Sequence, residues 1–203
     1  TDVPVTSDNL VLKAHAALAS EFNLQPVAIR LTKNLPVASG IGGGSADAAA
    51  ALRGILRLSG VHIDAETLQQ ISLSLGADVP VCLHGKACRM QGVGEVITDL
   101  EHLPAKAVLL ANPRKACGTA DVFRTMGLKA GESLGTALDV KAPSAWRNDM
   151  TVAAVHVLPE IAAVLSELQN AAPDQTVRMS GSGATCFALF EDYRDAEAAG
   201  RLL

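Results

Sequence analysis

Four glycines fall within five positions of this chain, just before a run of alanines, in the segment LPVASGIGGGSADAAAAL at residues 35–52. Glycine at this density is costly, because it loses more backbone entropy on folding than any other residue. A loop that leads directly into a helix presents unpaired backbone N–H groups and the positive end of the helix dipole, and this combination binds anions. The segment therefore predicts a phosphate-binding loop. A purely structural turn before an alanine-rich helix is the alternative.

The two most familiar phosphate fingerprints do not fit this segment. The P-loop pattern GxxxxGK[ST] requires a lysine where Gly44 stands, and the dinucleotide pattern GxGxxG requires a glycine where Ser45 stands. The sequence therefore predicts neither a P-loop nor a dinucleotide fold.

A second dense glycine segment, RMSGSGATCFALF, occupies residues 178–190. Apolar runs on both sides of its glycines predict a strand, a tight turn and a second strand. The segment is not a nucleophile elbow, since neither Ser180 nor Ser182 has a glycine two residues away on both sides. Taken alone, these residues are typical of a tight hairpin.

Composition excludes several classes of function. The chain has 203 residues, 49% hydrophobic and 19% charged, which is enough for a sizeable core. A net charge of −4 disfavours nucleic-acid and anionic-membrane partners, and no apolar stretch approaches the ~20 residues of a membrane span. The four cysteines are scattered without CxxC or zinc spacing, so we expect reduced thiols, no metal site built by the protein alone, and a cytoplasmic location. The sequence makes no prediction of oligomeric state.

Hydrophobic spacing predicts an α+β chain with a boundary near residue 104. The elements expected before the boundary are a helix after the possible caps Ser7 and Asp8, a strand at 27–32, a helix at 45–58 that ends near Gly60, a helix from Asp64 to Gly76, and short strands and turns after residue 80. Those expected after it are a strand at 106–113, a short helix capped by Thr119, helices on either side of Pro159, a strand–turn–strand at 176–191 and a last helix from residue 192.

The glycine segments together resemble a known family. LPVASGIGGGSADAAAAL is closely similar to the nucleotide loop of the GHMP kinases, and RMSGSGATCFALF resembles the C-terminal glycine motif of that family. The segments LGADVPVCLHG, GVGEVI, NPRKACGTADVF and NDMTVAAVHVLPEI match in family order over nearly all of the chain. The resemblance implies an α+β GHMP kinase architecture, with a partial S5-like N-terminal domain over residues 1–104 and a ferredoxin-like C-terminal domain over residues 105–203.

The resemblance also implies the chemistry. GHMP kinases transfer a phosphoryl group from ATP, with Mg²⁺, to a hydroxyl of a small molecule. The additional segments are most similar to members that phosphorylate the 2-hydroxyl of a cytidine-diphosphate-linked sugar alcohol, in the non-mevalonate route to isoprenoid precursors. Another GHMP kinase of the homoserine or mevalonate type, or a nucleotide-binding fragment without turnover, is the alternative. An S5-like nucleic-acid binder is disfavoured by the net charge of −4.

Roles for individual residues follow from the same resemblance. It places Asp78 at the reacting hydroxyl, although a carboxylate before a proline is also a common turn former. It places Phe123 beside the cytidine base, although a phenylalanine is often a core residue. The implied nucleotide-binding residues are Pro36, Val37, Ala38, Ser39, Gly40, Ile41, Gly42, Gly43, Gly44, Ser45 and Ala46, and the implied substrate-binding residues are Thr119, Phe123, Gly181, Ser182 and Gly183.

The sequence departs from the family pattern at its ends. Family members begin with a strand that carries a lysine, and nothing here matches it, since Lys13 and Lys33 stand in other contexts. The chain also stops inside the final helix of the family pattern, so we expect the sequence to be part of a longer enzyme. Asp47, two residues beyond Ser45, is typical of an acid in the first turn of a helix, where the dipole stabilises it.

Overall fold

The computed structural model describes residues 6, 8–35, 39–100, 106–129, 132, 139 and 142–203. The chain forms two compact units. Unit 1 comprises Thr1–Val37 and Gly42–His102, and unit 2 comprises Ala38–Ile41 and Leu103–Leu203. Four residues from the middle of the first glycine segment thus belong to unit 2, whereas the alanine-rich helix that follows them belongs to unit 1. No helix in the described ranges is long and apolar enough to cross a membrane.

Unit 1 is a helical layer with one β-hairpin. Its elements are α1 (Leu10–Glu21), α2 (Gly43–Ser59), α3 (Ala65–Leu75), α4 (Val79–His84), and the antiparallel strands β1 (Cys88–Gln91) and β2 (Val96–Asp99). The core forms where α1 packs on α2. Leu18 of α1 and Leu52 of α2 are fully buried there, and the small side chains of Ala14, Ala48 and Ala49 let the two helices approach closely.

The helix ends in unit 1 follow from local chemistry. Helix α2 ends at Gly60, which adopts a left-handed conformation, and α3 is capped by Asp64, whose Oδ1 accepts from Thr67 N at 2.8 Å. Both predicted ends are confirmed. The cap of α1 is different from the prediction, because Asn9 accepts from Val11 N at 2.9 Å and stands where Asp8 was expected. Ser7 lies outside the described residues.

Two predicted strands in unit 1 are wrong. Residues 27–32 belong to neither a helix nor a strand, because no strand in the described part of unit 1 pairs with them, and Ile29 is 42% exposed. The apolar run after Asp78 is the short helix α4. Pro80 lies in its first turn, where the missing N–H is no loss and the fixed φ favours a helix. In so short an apolar run, the periodicity does not distinguish a strand from a helix.

Unit 2 is an antiparallel sheet with helices packed on it. Its elements are β3 (Ala107–Ala111), α5 (Thr119–Met126), a 3₁₀ turn (Pro143–Ala145), α6 (Thr151–Val157), α7 (Glu160–Ala171), β4 (Thr176–Met179), β5 (Cys186–Phe190) and α8 (Tyr193–Gly200). The strand order is β3-β5-β4, with Val177 and Leu109 both opposite Ala188. From β3 to α8 the order is one strand, three α-helices, two strands and a last helix, and the predicted α+β class is confirmed.

The core of unit 2 lies between the sheet and α7. Ile161 and Leu168 of α7 are fully buried, and Val177 and Cys186 face them from β4 and β5. Helices α6 and α7 are separate, as predicted, because Pro159 precedes the first residue of α7. All four cysteines are free, and burial raises the pKa of the Cys186 thiol to about 11. That thiol is therefore protonated at neutral pH.

Candidate functional site

Helix α2 begins at Gly43 without a side-chain cap from any described residue. Its N-cap residue, Gly42, lies in the left-handed region at φ 68°, and the first intrahelical bond runs from Ala46 N to Gly42 O at 2.9 Å. The N–H groups before Ala46 therefore have no partner inside this 17-residue helix, and the positive end of its dipole lies with them. Side chains cap α1, α3 and α8, through Asn9, Asp64 and Asp192, whereas α4, α5, α6 and α7 share with α2 the lack of a side-chain cap.

Packing does not require the two glycines that open α2. A Cβ at Gly43 would lie 3.5 Å from Lys33 Nζ, and a Cβ at Gly44 would lie 3.5 Å from Leu10 Cδ1, which are ordinary van der Waals distances. Both residues are helical, and glycine inside a helix costs about 1 kcal/mol relative to alanine. The nearest contacts of a Cβ therefore give no packing reason for bare backbone at these positions. Close approach of an anion to the N–H groups would be a reason of another kind.

The ammonium group of Lys33 lies beside this turn and forms an ion pair with Asp47 at 2.5 Å. The Lys33 and Asp47 side chains are only 14% and 28% exposed, so solvent screens this pair less than a surface pair. The structure corrects the interpretation of Asp47, which is the fifth residue of α2 and lies beyond its first turn. Lys33 is a site residue that sequence reasoning missed, because no local pattern joins two side chains 14 positions apart.

Asp78 stands at the N-cap position of α4, yet its side chain does not cap that helix. Its backbone is already helical, at φ −85° and ψ −12°, and its carbonyl accepts from Cys82 N at 3.1 Å. The residue is exposed. Burial raises the pKa of the Cys82 thiol, and the negative charge of Asp78 raises it further. The carboxylate is thus an exposed negative charge that the helix end does not use, while the backbone of Asp78 lies in the turn that the Val79 N to Gly76 O hydrogen bond closes.

In unit 2, the two glycine segments of the sequence meet. Gly40 lies against the turn between β4 and β5, so closely that a Cβ on it would be 2.2 Å from Gly183 O and 2.8 Å from Ser180 O. Two hydrogen bonds fix this contact: Ser180 Oγ donates to Gly40 O at 2.9 Å, and Thr185 N donates to Ser39 O at 3.1 Å. Residues 140 positions apart in the sequence are therefore in direct contact.

Three more side chains reach the β4–β5 turn from other elements of unit 2. Asn148, just before α6, donates through Nδ2 to Met179 O at 2.9 Å and to Gly181 O at 2.7 Å. Asn112, after β3, donates to Thr185 Oγ1 at 2.8 Å. The Thr119 and Ser182 hydroxyls are 2.7 Å apart. These polar contacts hold the turn in one conformation.

The predicted substrate residues of unit 2 lie around this turn and on α5. Thr119 is the first residue of α5 and contacts Ser182, but it is not the expected cap, because Gly118 occupies the N-cap position and no described side chain caps the helix. Phe123 lies one helical turn further along α5 and is 52% exposed. A large apolar ring exposed to this extent is not a core residue. The core interpretation of Phe123 is therefore wrong, and its face is available to a ligand.

The structure describes most of the predicted nucleotide-binding residues, but in different units. Ser39 is buried and Gly40 and Ile41 are partly buried in unit 2, whereas Gly42 to Ala46 form the start of α2 in unit 1. Pro36, Val37 and Ala38 lie outside the described residues. Asn112 and Asn148 were not singled out by sequence reasoning. The sequence indicated these two residues only indirectly, because each is the first residue of a segment that matches the family, NPRKACGTADVF for Asn112 and NDMTVAAVHVLPEI for Asn148.

Comparison with known proteins places this arrangement in a family. Residues 9–86 match the GHMP kinases N terminal domain, and residues 131–201 match the GHMP kinases C terminal domain. A 4-diphosphocytidyl-2-C-methyl-D-erythritol kinase of Rhizobium etli (strain CIAT 652) is 45% identical over 205 residues, which span 97% of this chain and 69% of the relative. The chain belongs to the GHMP kinase family.

Other GHMP kinases show the same relationship. The kinase of the same name from Paramagnetospirillum magneticum (strain ATCC 700264 / AMB-1) is 48% identical, over 97% of this chain and 72% of its own length. The crystal structure of a 4-(cytidine 5'-diphospho)-2C-methyl-D-erythritol kinase has a TM-score of 0.80 at 30% identity, and the match covers 99% of this chain and 76% of that one. A homoserine kinase from Cytophaga hutchinsonii ATCC 33406 has a TM-score of 0.68 at 20% identity, over 98% of this chain and 72% of that one, and shares the fold.

The contact of Gly40 with the β4–β5 turn of this GHMP kinase predicts a difference between two neighbouring glycines. Gly40 and Gly42 have similar φ values, 73° and 68°, so alanine at either incurs the left-handed cost of about 1–2 kcal/mol. Only Gly40→Ala also collides with backbone, since a Cβ on Gly42 meets nothing within 4 Å. In denaturant titrations we expect Gly40→Ala to lower the free energy of unfolding by about 1–3 kcal/mol more than Gly42→Ala. Equal destabilisation would contradict the contact.

Proposed function

We propose that the protein transfers the γ-phosphoryl group of ATP to the 2-hydroxyl of 4-diphosphocytidyl-2-C-methyl-D-erythritol, a step toward isoprenoid precursors. The names of the relatives at 45–48% identity support this substrate. The solved kinase at 30% identity carries the equivalent name and covers 99% of this chain. The homoserine kinase, at 20% identity, supports the shared fold and not a homoserine substrate.

The observation that carries the proposal is the uncapped start of α2. Its N–H groups lack a cap, two of its glycines are not required by packing, and the Lys33 ammonium lies beside it. Backbone N–H groups, a helix dipole and a cation together favour a phosphate. We assign the ATP phosphates to Gly42, Gly43, Gly44 and Ser45, with Lys33 as a nearby positive charge held in place by Asp47.

Magnesium enters this scheme with the nucleotide. Mg²⁺ prefers hard oxygen ligands and in kinases shares them with the substrate phosphates. Ser45, the third residue of α2, provides a hydroxyl oxygen at the proposed phosphate position. Among the described residues, no group of three or more His, Cys, Asp or Glu side chains is arranged to hold a metal ion. The ion would neutralise charge on the phosphates when bound.

Asp78 is the residue that we assign to the acceptor. The attacking hydroxyl oxygen forms a bond to the γ-phosphorus, the bond from that phosphorus to the β–γ bridging oxygen breaks, and ADP leaves with the electron pair. The hydroxyl proton passes to the Asp78 carboxylate, which the α4 helix end leaves uncommitted. Orientation and deprotonation of an acceptor are the usual contributions of a carboxylate in phosphoryl transfer.

Phe123 is the residue that we assign to the cytidine base. Its ring is exposed on α5, one turn beyond the Thr119–Ser182 contact. Bases stack on exposed aromatic rings, with a gain of about 1–3 kcal/mol in nucleic-acid complexes. Thr119, Ser182 and the glycines Gly181 and Gly183 complete the set of residues in unit 2 that we propose to bind this substrate.

Valine at Gly43 tests the phosphate site. Branched carbons at the first helical position would occupy the space that the phosphate oxygens need, and a Cβ there makes only an ordinary contact with Lys33. We expect Gly43→Val to weaken ATP binding about a hundredfold or more in calorimetry, with an unchanged circular dichroism spectrum. Gly54→Val is the matched control, because Gly54 lies within the same helix and its Cβ would meet nothing within 4 Å. Equal ATP affinity in both variants would refute the site.

Alanine at Phe123 tests the base-binding role. We expect Phe123→Ala to raise the KM for the cytidyl substrate about tenfold or more, which corresponds to about 1–2 kcal/mol of lost stacking, while the KM for ATP stays within a factor of about two. Tyr193→Ala, which removes another exposed aromatic ring of unit 2, should change neither value. A similar rise in both KM values would mean that Phe123 supports the fold and not the base.

Asparagine at Asp78 tests the acceptor role. The amide keeps the size and turn preference of the carboxylate but cannot accept the proton. We therefore expect Asp78→Asn to lower kcat by about 10²–10⁴ and to leave ATP affinity nearly unchanged. Asp195→Asn, at an exposed position on α8, is the control. Full activity of Asp78→Asn would remove the residue from the chemistry.

A further inference from the structure

The turn between β1 and β2 lies against the segment that carries Asp78. This turn spans Gln91 to Glu95, and Gly94 N donates to Gln91 O at 3.3 Å across it. Gly94 is buried, although its neighbours in the turn are exposed, and it adopts φ 102°. A buried glycine in an exposed turn indicates a close approach of another part of the chain.

The group that approaches Gly94 is the peptide just before Asp78. A Cβ on Gly94 would lie 2.3 Å from Ala77 O, 3.0 Å from its carbonyl carbon and 3.1 Å from its Cα. These are backbone atoms, which cannot rotate away as a side chain can. A side chain at position 94 must therefore shift either the backbone of this turn or that of Ala77, which is bonded to Asp78.

A second contact holds the same turn in place. Gln69 of α3 donates through Nε2 to Glu95 O at 2.6 Å. On the opposite side of Asp78, Val79 is fully buried and its N–H donates to Gly76 O at 3.0 Å. The backbone on both sides of Asp78 is thus fixed, on one side by the start of α4 and on the other by the β1–β2 turn.

We propose that Gly94 is a positioning residue for Asp78. By contact with Ala77 it sets the backbone from which the Asp78 carboxylate projects, and this inference rests on the acceptor role proposed for Asp78. The carboxylate makes no capping bond that would hold it independently, so its place depends on the backbone. A displacement of about 1 Å at a reacting group costs on the order of a hundredfold in rate.

The chain offers a matched control in the same turn. Gly92 also has a positive φ, 68°, so alanine at either glycine incurs a left-handed cost. The three atoms nearest to a Cβ on Gly92 belong to the Glu95 carboxylate, which accepts from Val93 N at 2.6 Å but, as the end of a side chain, can rotate away. Gly94→Ala should lower kcat about tenfold to a hundredfold with unchanged ATP affinity, whereas Gly92→Ala should change kcat less than about threefold.

A double-mutant cycle separates positioning from general damage to the fold. If Gly94 acts through the carboxylate, Gly94→Ala should lower kcat in the native background but cause no further loss in Asp78→Asn, where that carboxylate is absent. Thermal unfolding of every variant measures stability separately. The positioning role would be overturned if the kcat losses of the two single variants multiplied in the double variant. It would also be overturned if Gly94→Ala had native kcat while Asp78→Asn was impaired. An Asp78→Asn enzyme with native kcat would instead overturn the role of Asp78 itself.

A second variant covers the case in which Gly94→Ala does not fold. Ala77 is exposed, so Ala77→Gly removes no buried side chain but frees the backbone that Gly94 supports. We expect Ala77→Gly to lower kcat at least about threefold, and again to have no effect in the Asp78→Asn background. Native kcat in Ala77→Gly would overturn the inference.

Discussion

The contact of Gly40 with the β4–β5 turn is the interaction on which the candidate site of unit 2 depends. It is an approach of backbone to backbone, with a would-be Cβ only 2.2 Å from Gly183 O. The carbonyl groups of Ser39 and Gly40 both receive hydrogen bonds from that turn. Buried backbone carbonyls must be paired, so the conformation of one glycine segment is tied to that of the other.

Polar side chains extend this dependence to the rest of unit 2. Asn148, Asn112 and Thr119 stand at the ends of three different elements, and each contacts the turn or the residue next to it. A side-chain network in which every member is bonded specifies one arrangement, whereas a loss of one partner leaves another buried group unpaired. The turn is therefore fixed by the ends of β3, α5 and the segment before α6. This explains how a stretch rich in glycine adopts one conformation.

Some predicted features of this fold have a local cause, whereas β3, β4 and β5 were predicted from their apolar pattern. The ends of α2 and α3 were predicted because a glycine in a left-handed conformation and an aspartate cap act within one helical turn. The strands predicted at 27–32 and in place of α4 were wrong, because an apolar alternation or an apolar run does not reveal whether a partner strand is present. Pairing, unlike capping, is a property of the whole chain.

The candidate site divides in the same way. The phosphate-binding role that we propose for the start of α2 was suggested by the residues alone, because the dipole, the free N–H groups and the small side chains are encoded within a few positions. The roles assigned to Asp78 and Phe123 came from the resemblance, since a lone carboxylate or phenylalanine carries no signal of its own. The Lys33–Asp47 pair joins residues 14 positions apart, and the hydrogen bond between Ser180 and Gly40 joins residues 140 positions apart. Only the structure shows that these residues are in contact.

The glycines at positions 40, 94, 43 and 44 therefore differ in the physical reason for glycine, although the sequence alone does not distinguish them. Gly40 and Gly94 lack a side chain because backbone from another segment occupies that space. Gly43 and Gly44 have helical backbone and room for a Cβ, so their glycines lower the stability of α2 without a return from packing. A local choice that weakens the fold without compensation is typical of a functional position. The lack of a packing reason at Gly43 and Gly44 thus supports the proposal that the start of α2 binds a ligand.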